Sequence, residues 1–323
     1  MIRSRSDRRA FLAGAAAALA WPVMGRAAPV EGIGGSAFGT HWRLSTAGGA
    51  DLGRLRAGIE TLFAGIDRQM SPWRADSVLS GLNRGGAGTH AVPDDTLSVA
   101  RAALDLAVQS GGAFDPTVGP LVARWGFGPI AGAPGGGLDG FSVDAGRIVK
   151  RRDDLTLDLC GIAKGRALDL ASALAARAGV SRMLMDLGGE LTALGAHPDG
   201  RAWQVGVEPA QPGAALAAVL HLPAGRSVAT SGRQAQGYAL RGRRYSHIID
   251  PATGAPADGR LVSVTVMGGD AMRADGWATA LFAAGDHDGP VLADRHGIDA
   301  LFLFDAPAGG GRVLTGRMAE YLA

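Results

Sequence analysis

From Asp51 to Met70 the apolar residues Leu52, Leu55, Ile59, Leu62, Phe63 and Ile66 recur at helical spacing, which predicts an amphipathic helix despite Gly53, Gly58 and Gly65. A second helix is predicted from Asp94 or Asp95, either of which can cap it, with Leu97, Ala100, Leu104 and Val108 as its buried stripe and Gly111 as its stop. A third runs from Ala163 to Ala178 and leads into the short apolar run Met183 to Leu187. Period-two alternation at Trp203, Val205 and Val207, and again at Val262, Val264 and Val266, predicts strands. The chain closes with a helix from Asp270 to Ala284 and the apolar run Ala300 to Phe304. Between Ala131 and Gly140 the glycine-rich stretch A-G-A-P-G-G-G-L-D-G reads as a flexible surface loop. Helices and strands mix without strict βαβ alternation, so the fold class is α+β and not a doubly wound parallel sheet. No short repeat is visible.

Composition narrows the class. At 323 residues, 47% hydrophobic and 19% charged, the chain can bury a sizeable core, which excludes disorder and a disulfide scaffold. Its 51 glycines are roughly twice the usual share of about 7%. A single cysteine, Cys160, forms no internal disulfide, and no Cys/His cluster with zinc spacing exists. Only two lysines, Lys150 and Lys164, stand beside 30 arginines, so each merits attention.

The basic pI of about 9.0 invites a nucleic-acid reading that its distribution refutes. Residues 1–28 hold five arginines (Arg3, Arg5, Arg8, Arg9, Arg26) and one aspartate (Asp7), and the remainder carries 27 positive and 29 negative charges. That remainder has no electrostatic bias toward nucleic acid. The first 28 residues have an Arg8-Arg9 pair, an apolar run from Ala10 to Ala20 and small residues at Ala27 and Ala28. They are expected to be a twin-arginine signal, with residues 29–323 forming one domain that works in the periplasm. The apolar run is alanine-rich and shorter than the roughly 20 residues that span a bilayer, so no stable membrane anchor is expected.

Several segments join glycine and turn formers to a lone polar side chain. M-S-P-W-R places Trp73 on a turn after the first helix, where its ring either stacks on a flat ligand or covers the helix end. In G-A-F-D-P-T, Asp115 precedes Pro116 and is held extended, as a ligand-binding turn or a structural Asx-Pro turn. W-G-F-G follows at Trp125 to Gly128. D-L-C-G-I-A-K-G, Asp158 to Gly165, enters a helix whose first N–H groups favour an anion, with Lys164 adding charge. It lacks the spacing of a nucleotide-binding P-loop. Cys160 reads better as packing than as a nucleophile, since no base adjoins it in sequence. D-L-G-G-E, Asp186 to Glu190, supplies another glycine pair after a strand. In A-D-G-W-A-T-A, Asp275 and Thr279 are four apart on a helix and project from one face, either as a surface pair or as oxygen donors suited to Mg²⁺.

In order, G-A-F-D-P-T, D-L-x-G-I-A-K-G, V-A-T-S-G (Val228 to Gly232), H-I-I-D-P-x-T-G (His247 to Gly254) and A-D-x-x-A-T resemble the ApbE family of FAD:protein FMN transferases, from about Phe38 onward. The resemblance implies a two-lobed single domain with a cleft for FAD and Mg²⁺. It implies Mg²⁺ on the Gly161 carbonyl, Asp275 and Thr279, and flavin-nucleotide contacts at Phe38, Trp73, Ala113, Phe114, Asp115, Asp158, Lys164 and Ile249. His247 is the implied general base, with a core histidine as the competing reading; imidazole exchanges protons near neutrality. Phe38 stands where the family commonly has Met, Trp73 where it often has Tyr, and Cys160 where it often has Gly or Ser.

The implied reaction transfers FMN from FAD to a Thr or Ser hydroxyl of a target protein and releases AMP. Catalytic residues would be His247 and Asp275. An exported member without a lipid anchor also resembles accessory proteins that flavinylate a membrane regulator of nitrous-oxide respiration, so the implied partner is a membrane redox protein. Two other outcomes fit the same residues: an FAD pyrophosphatase giving FMN and AMP, and a carrier that binds FAD without cleaving it.

Overall fold

The computed structural model describes residues 30–323 except 48–49, 133–136, 210–212, 235–236, 241–242 and 306–310. The expected signal at 1–28 lies outside the described residues. An eight-stranded sheet forms the centre, in the order β1 (Glu31–Ala37), β2 (Thr40–Thr46), β6 (Met183–Leu187), β7 (Glu190–Leu194), β10 (Ser227–Gly232), β15 (Leu261–Gly268), β16 (Asp299–Phe304), β17 (Gly311–Thr315). Every neighbouring pair in it is antiparallel, as the α+β reading requires. Smaller sheets are β3 (Gly88–His90) with β5 (Arg147–Lys150) and β4 (Phe141–Asp144), and the ribbons β8 (Trp203–Val207) with β9 (Ala218–Leu222), β11 (Gly237–Leu240) with β12 (Arg243–Ser246), and β13 (Ile249–Asp250) with β14 (Ala255–Pro256).

The helices are α1 (Leu52–Met70), α2 (Val78–Arg84), α3 (Asp94–Gln109), α4 (Gly119–Arg124), α5 (Cys160–Arg177), α6 (Ala271–Ala283) and α7 (Gly285–His296). Helices α1, α5 and α6 pack together on one face of the sheet and share a core with α2, α3 and the three-stranded sheet, so these parts make one domain. The other face is covered by β8 and β9, whose buried Trp203, Val205 and Val207 confirm the predicted alternation. Among the described residues no helix is long and apolar enough to cross a membrane.

Local chemistry explains the agreement at α1 and α6. Asp51 and Asp270 cap them by accepting from the N–H groups of Arg54 (3.0 Å) and Arg273 (2.8 Å). Elsewhere the structure corrects the reading. α3 has no side-chain cap, and its buried face is Thr96, Val99, Ala100, Ala103, Leu106 and Ala107; Val108 is 81% exposed. Leu97 and Leu104 are only partly buried against the core, and the stripe is rotated toward Val99, Ala103 and Leu106. α5 starts at Cys160, three residues before the predicted start, so Gly161 lies in its first turn. In the expected loop, Gly137 and Gly140 are buried against Leu155, while 133–136 lie outside the described residues. An irregularity in pairing between Leu261 and Ser263 leaves Val262 in the core under β8, opposite Val264 and Val266.

Lys150, one of the two lysines, is structural. It is buried, and its ammonium donates to the carbonyls of Leu82 (3.3 Å), Asn83 (3.0 Å) and Gly85 (2.6 Å), closing the C-terminal end of α2. Burial pulls its pKa down.

α5 and α6 are joined at a buried acid. Asp169 of α5 accepts hydrogen bonds from the N–H groups of Ala271 (2.8 Å) and Met272 (3.0 Å) at the start of α6. Burial pushes its pKa from 3.8 up to about 6, against the lowering effect of the two N–H groups. The folded state therefore holds this proton more tightly than the unfolded chain, and Asp169 costs stability as pH rises through that window. Relative to Asp169→Asn, the wild type is expected to lose about 2 kcal/mol of unfolding free energy between pH 4 and pH 7. Urea melts of both proteins across that range check it, and parallel curves would refute it.

Candidate active site

Two loops and two helices converge where α5 begins. Asp115 accepts from both the N–H (2.7 Å) and the hydroxyl (2.6 Å) of Thr117, which is the Asx-turn geometry. That turn is fastened to the next motif by Asp158, whose N–H donates to the Pro116 carbonyl at 2.7 Å. The Asp158 carboxylate then accepts from the Cys160 N–H (2.9 Å) at the start of α5. Phe114 is buried and its ring faces Gly161, while Ala113 is half-buried beside it. Cys160 is open to solvent, yet the surrounding protein and then the Asp158 carboxylate push its thiol pKa well up. The raised thiol is no nucleophile at neutral pH.

α6 brings the last donors. The Thr279 hydroxyl lies 3.3 Å from the Gly161 carbonyl and 3.2 Å from the Ser231 hydroxyl on β10. Asp275, only 3% exposed, accepts from the Gly165 N–H at 2.9 Å. Asp275 and Thr279 therefore belong to the interior contact between helices and not to the surface. Lys164 reaches Glu190 of β7 at 2.5 Å. Burial pulls the Lys164 pKa down, but Glu190 and Asp275 outweigh it and hold the ammonium above its ordinary value. Burial raises both Glu190 and Asp275. Two buried carboxylates thus share one lysine, and the second oxygen of Glu190 has no hydrogen-bond partner. A further cation would relieve this excess of buried negative charge.

The donors fit Mg²⁺: a carbonyl, a hydroxyl and a carboxylate, all oxygen. Among the described residues no group of three or more His, Cys, Asp or Glu could hold a metal. Glu190 and Ser231 were not among the residues singled out for chemistry. Their signals are present, in D-L-G-G-E and in V-A-T-S-G, but only the fold shows that the start of β7 and the end of β10 lie beside α5 and α6.

The remaining residues lie around this centre. Phe38 forms the β1–β2 turn with φ of 52°, a left-handed conformation that strains a non-glycine residue, and packs edge-on against Phe63 with ring centroids 5.5 Å apart. Trp73 is 67% exposed, so it does not cover the end of α1. Ile249 is buried in β13. His247 is half-buried and faces the edge of the Phe127 ring, 6.4 Å between centroids. Asp250, three residues on, builds the following turn by accepting from the Ala252 N–H and the Thr253 hydroxyl, both at 2.9 Å.

Residues 38–302 match the model of the ApbE family. The chain belongs to the ApbE family. A curated FAD:protein FMN transferase of Klebsiella pneumoniae is 34% identical over 288 residues, covering 82% of each chain. That of Vibrio cholerae is 33% identical, covering 84% of this chain and 86% of the relative. Among solved structures, the Vibrio cholerae flavin transferase ApbE aligns with TM-score 0.80 at 30% identity, covering 91% of this chain and all of the other. The apo Pseudomonas stutzeri flavinyl transferase ApbE gives 0.81 at 32%, covering 91% and 96%. This ApbE protein is accordingly an FAD:protein FMN transferase, with FAD as substrate and a protein as acceptor.

Proposed function

We propose that transfer is Mg²⁺-dependent and joins FMN to a Thr or Ser hydroxyl of the acceptor. The Gly161 carbonyl and Thr279 hydroxyl, 3.3 Å apart, and the buried Asp275 carboxylate one turn before Thr279 on α6 support it, because these oxygens suit a hard cation that keeps part of its shell for substrate. When bound, Mg²⁺ would neutralise charge on the pyrophosphate. The acceptor oxygen bonds to the FMN-side phosphorus, the P–O bond to the AMP portion breaks with its electron pair, and AMP leaves. The hydroxyl proton passes to a ring nitrogen of His247. Asp158, Ala113, Phe114, Asp115 and Ile249 surround the nucleotide, Phe38 and Trp73 offer rings to the flavin, and Lys164 with Glu190 holds Asp275 in its buried setting. Catalysis of this kind rests on positioning and charge neutralisation.

Residues 1–28 support export by the twin-arginine route, and with it a membrane redox protein as acceptor, such as the regulator of nitrous-oxide respiration. Replacing Arg8 and Arg9 by lysine should retain the protein in the cytoplasm.

Purified protein with FAD and Mg²⁺ is expected to release AMP together with covalent flavin fluorescence on a Thr-containing acceptor domain. FMN plus AMP without acceptor would favour the pyrophosphatase reading, and intact bound FAD would favour a carrier. Equal transfer in the presence of a metal chelator would overturn the Mg²⁺ assignment.

A further inference from the structure

We infer that the Trp125-Gly126-Phe127 turn is a positioning clamp for His247, an inference that rests on His247 as the proton acceptor. The two rings of the turn grip one cross-strand pair of the β11–β12 ribbon, Tyr238 opposite Tyr245. Trp125 stacks on Tyr245 with centroids 5.7 Å apart and 25° between planes. Phe127 stacks on Tyr238 at 5.2 Å and 20°, and the two tyrosines stack on each other at 5.3 Å and 26°. Phe127 also meets the His247 ring edge-on, at 6.4 Å and 66°.

Tyr245 and His247 are two residues apart, so the turn touches both the strand that delivers the histidine and the histidine itself. It is tied to the far side as well: the Trp125 indole N–H donates to the Gly254 carbonyl at 2.9 Å, where the turn that begins at Asp250 ends. The segment carrying His247 is thereby held before and after the imidazole. Gly126, with φ of 82°, gives the left-handed step that sends both rings to the same ribbon.

Among the described residues none of these four rings belongs to either hydrophobic core, and the ribbon pairs with no other sheet. The stack is therefore not needed to hold the central sheet together. Aromatic side chains have only two side-chain torsions, so locking them costs little entropy and gives a stiff support. A proton acceptor needs such support, because a misplacement of about 1 Å can cost on the order of 100-fold in rate.

The test measures kcat and KM for FAD in Phe127→Leu and Trp125→Phe, each alone and combined with His247→Ala, with melting curves to confirm folding. Each single variant is expected to lower kcat about tenfold with KM for FAD changed by less than about twofold. In the His247→Ala background neither should lower kcat further, because the group being positioned is gone. Phe127→Tyr, which keeps the ring, should restore kcat. A full additional loss in the His247→Ala background, or a raised KM with unchanged kcat, would overturn the clamp. Undiminished kcat in His247→Ala alone would instead overturn the histidine's role as proton acceptor, and the clamp with it.

Discussion

Asp275→Asn is expected to fold like the wild type and to lose FMN transfer by about 10³-fold, the scale of removing one principal electrostatic contributor. The asparagine has the same size and keeps an oxygen that can accept from the Gly165 N–H, so the contact between α5 and α6 survives. What it removes is the negative charge. That charge lies in a setting only 3% exposed, where a carboxylate is costly unless a cation meets it. With the charge gone, Glu190 has Lys164 to itself and the buried cluster balances without a divalent ion. Calorimetric titration should therefore show Mg²⁺ binding lost along with AMP release. Asp275→Ala should show the same loss of activity plus a lower unfolding midpoint, because it removes the hydrogen bond that joins α6 to the Gly165 N–H of α5, at about 1 kcal/mol. Undiminished AMP release by the asparagine variant would sink the metal assignment.

Gly165→Ala is expected to damage the fold itself, by about 3 kcal/mol or more. A methyl group there would collide with the Ala271 carbonyl and come within 2.6 Å of the Met272 Cα. These are backbone atoms of α6, so no side-chain rotation relieves the clash and the helices must separate. Separation also draws Asp275 off the Gly165 N–H and Thr279 off the Gly161 carbonyl, so activity should fall with stability. Gly65→Ala is the matched control. It lies inside α1 with nothing within 4 Å of the added methyl, so it should stabilise by about 0.5–1 kcal/mol through helix propensity. Urea unfolding of both variants reads the opposite signs, and equal effects would refute the packing account.

How much of this was legible in the chain differs by element. α1 and α6 were readable because an aspartate cap precedes an apolar helical period in each. α3 is legible as a helix but not in its rotation, since apolar residues occur all round it and only the neighbours it meets decide that Val99, Ala103 and Leu106 face inward while Val108 is exposed. α7 was not read at all: G-D-H-D-G-P-V-L-A-D-R-H has glycine, proline and charge where a helical stripe would be sought, and it exists because Gly289, Leu292 and Ala293 pack inward. At the site, Asp275 and Thr279 could be chosen from their spacing and company. Their burial could not, nor could the demand that Glu190 makes on Lys164, because β7 and α5 meet only after the sheet is assembled.

The central sheet sets a condition on how the protein is made. β2 lies beside β6, so Trp42 pairs with Leu187 across nearly half the chain, and everything from α1 to α5 is synthesised between the two partners. Such distant pairing makes folding slow by topology. During translation the hairpin of β1 and β2 emerges early and must wait with one hydrogen-bonding edge open until residues 183–187 arrive. The open edge of β2 is therefore where a newly made chain is most exposed to pairing with another copy of itself.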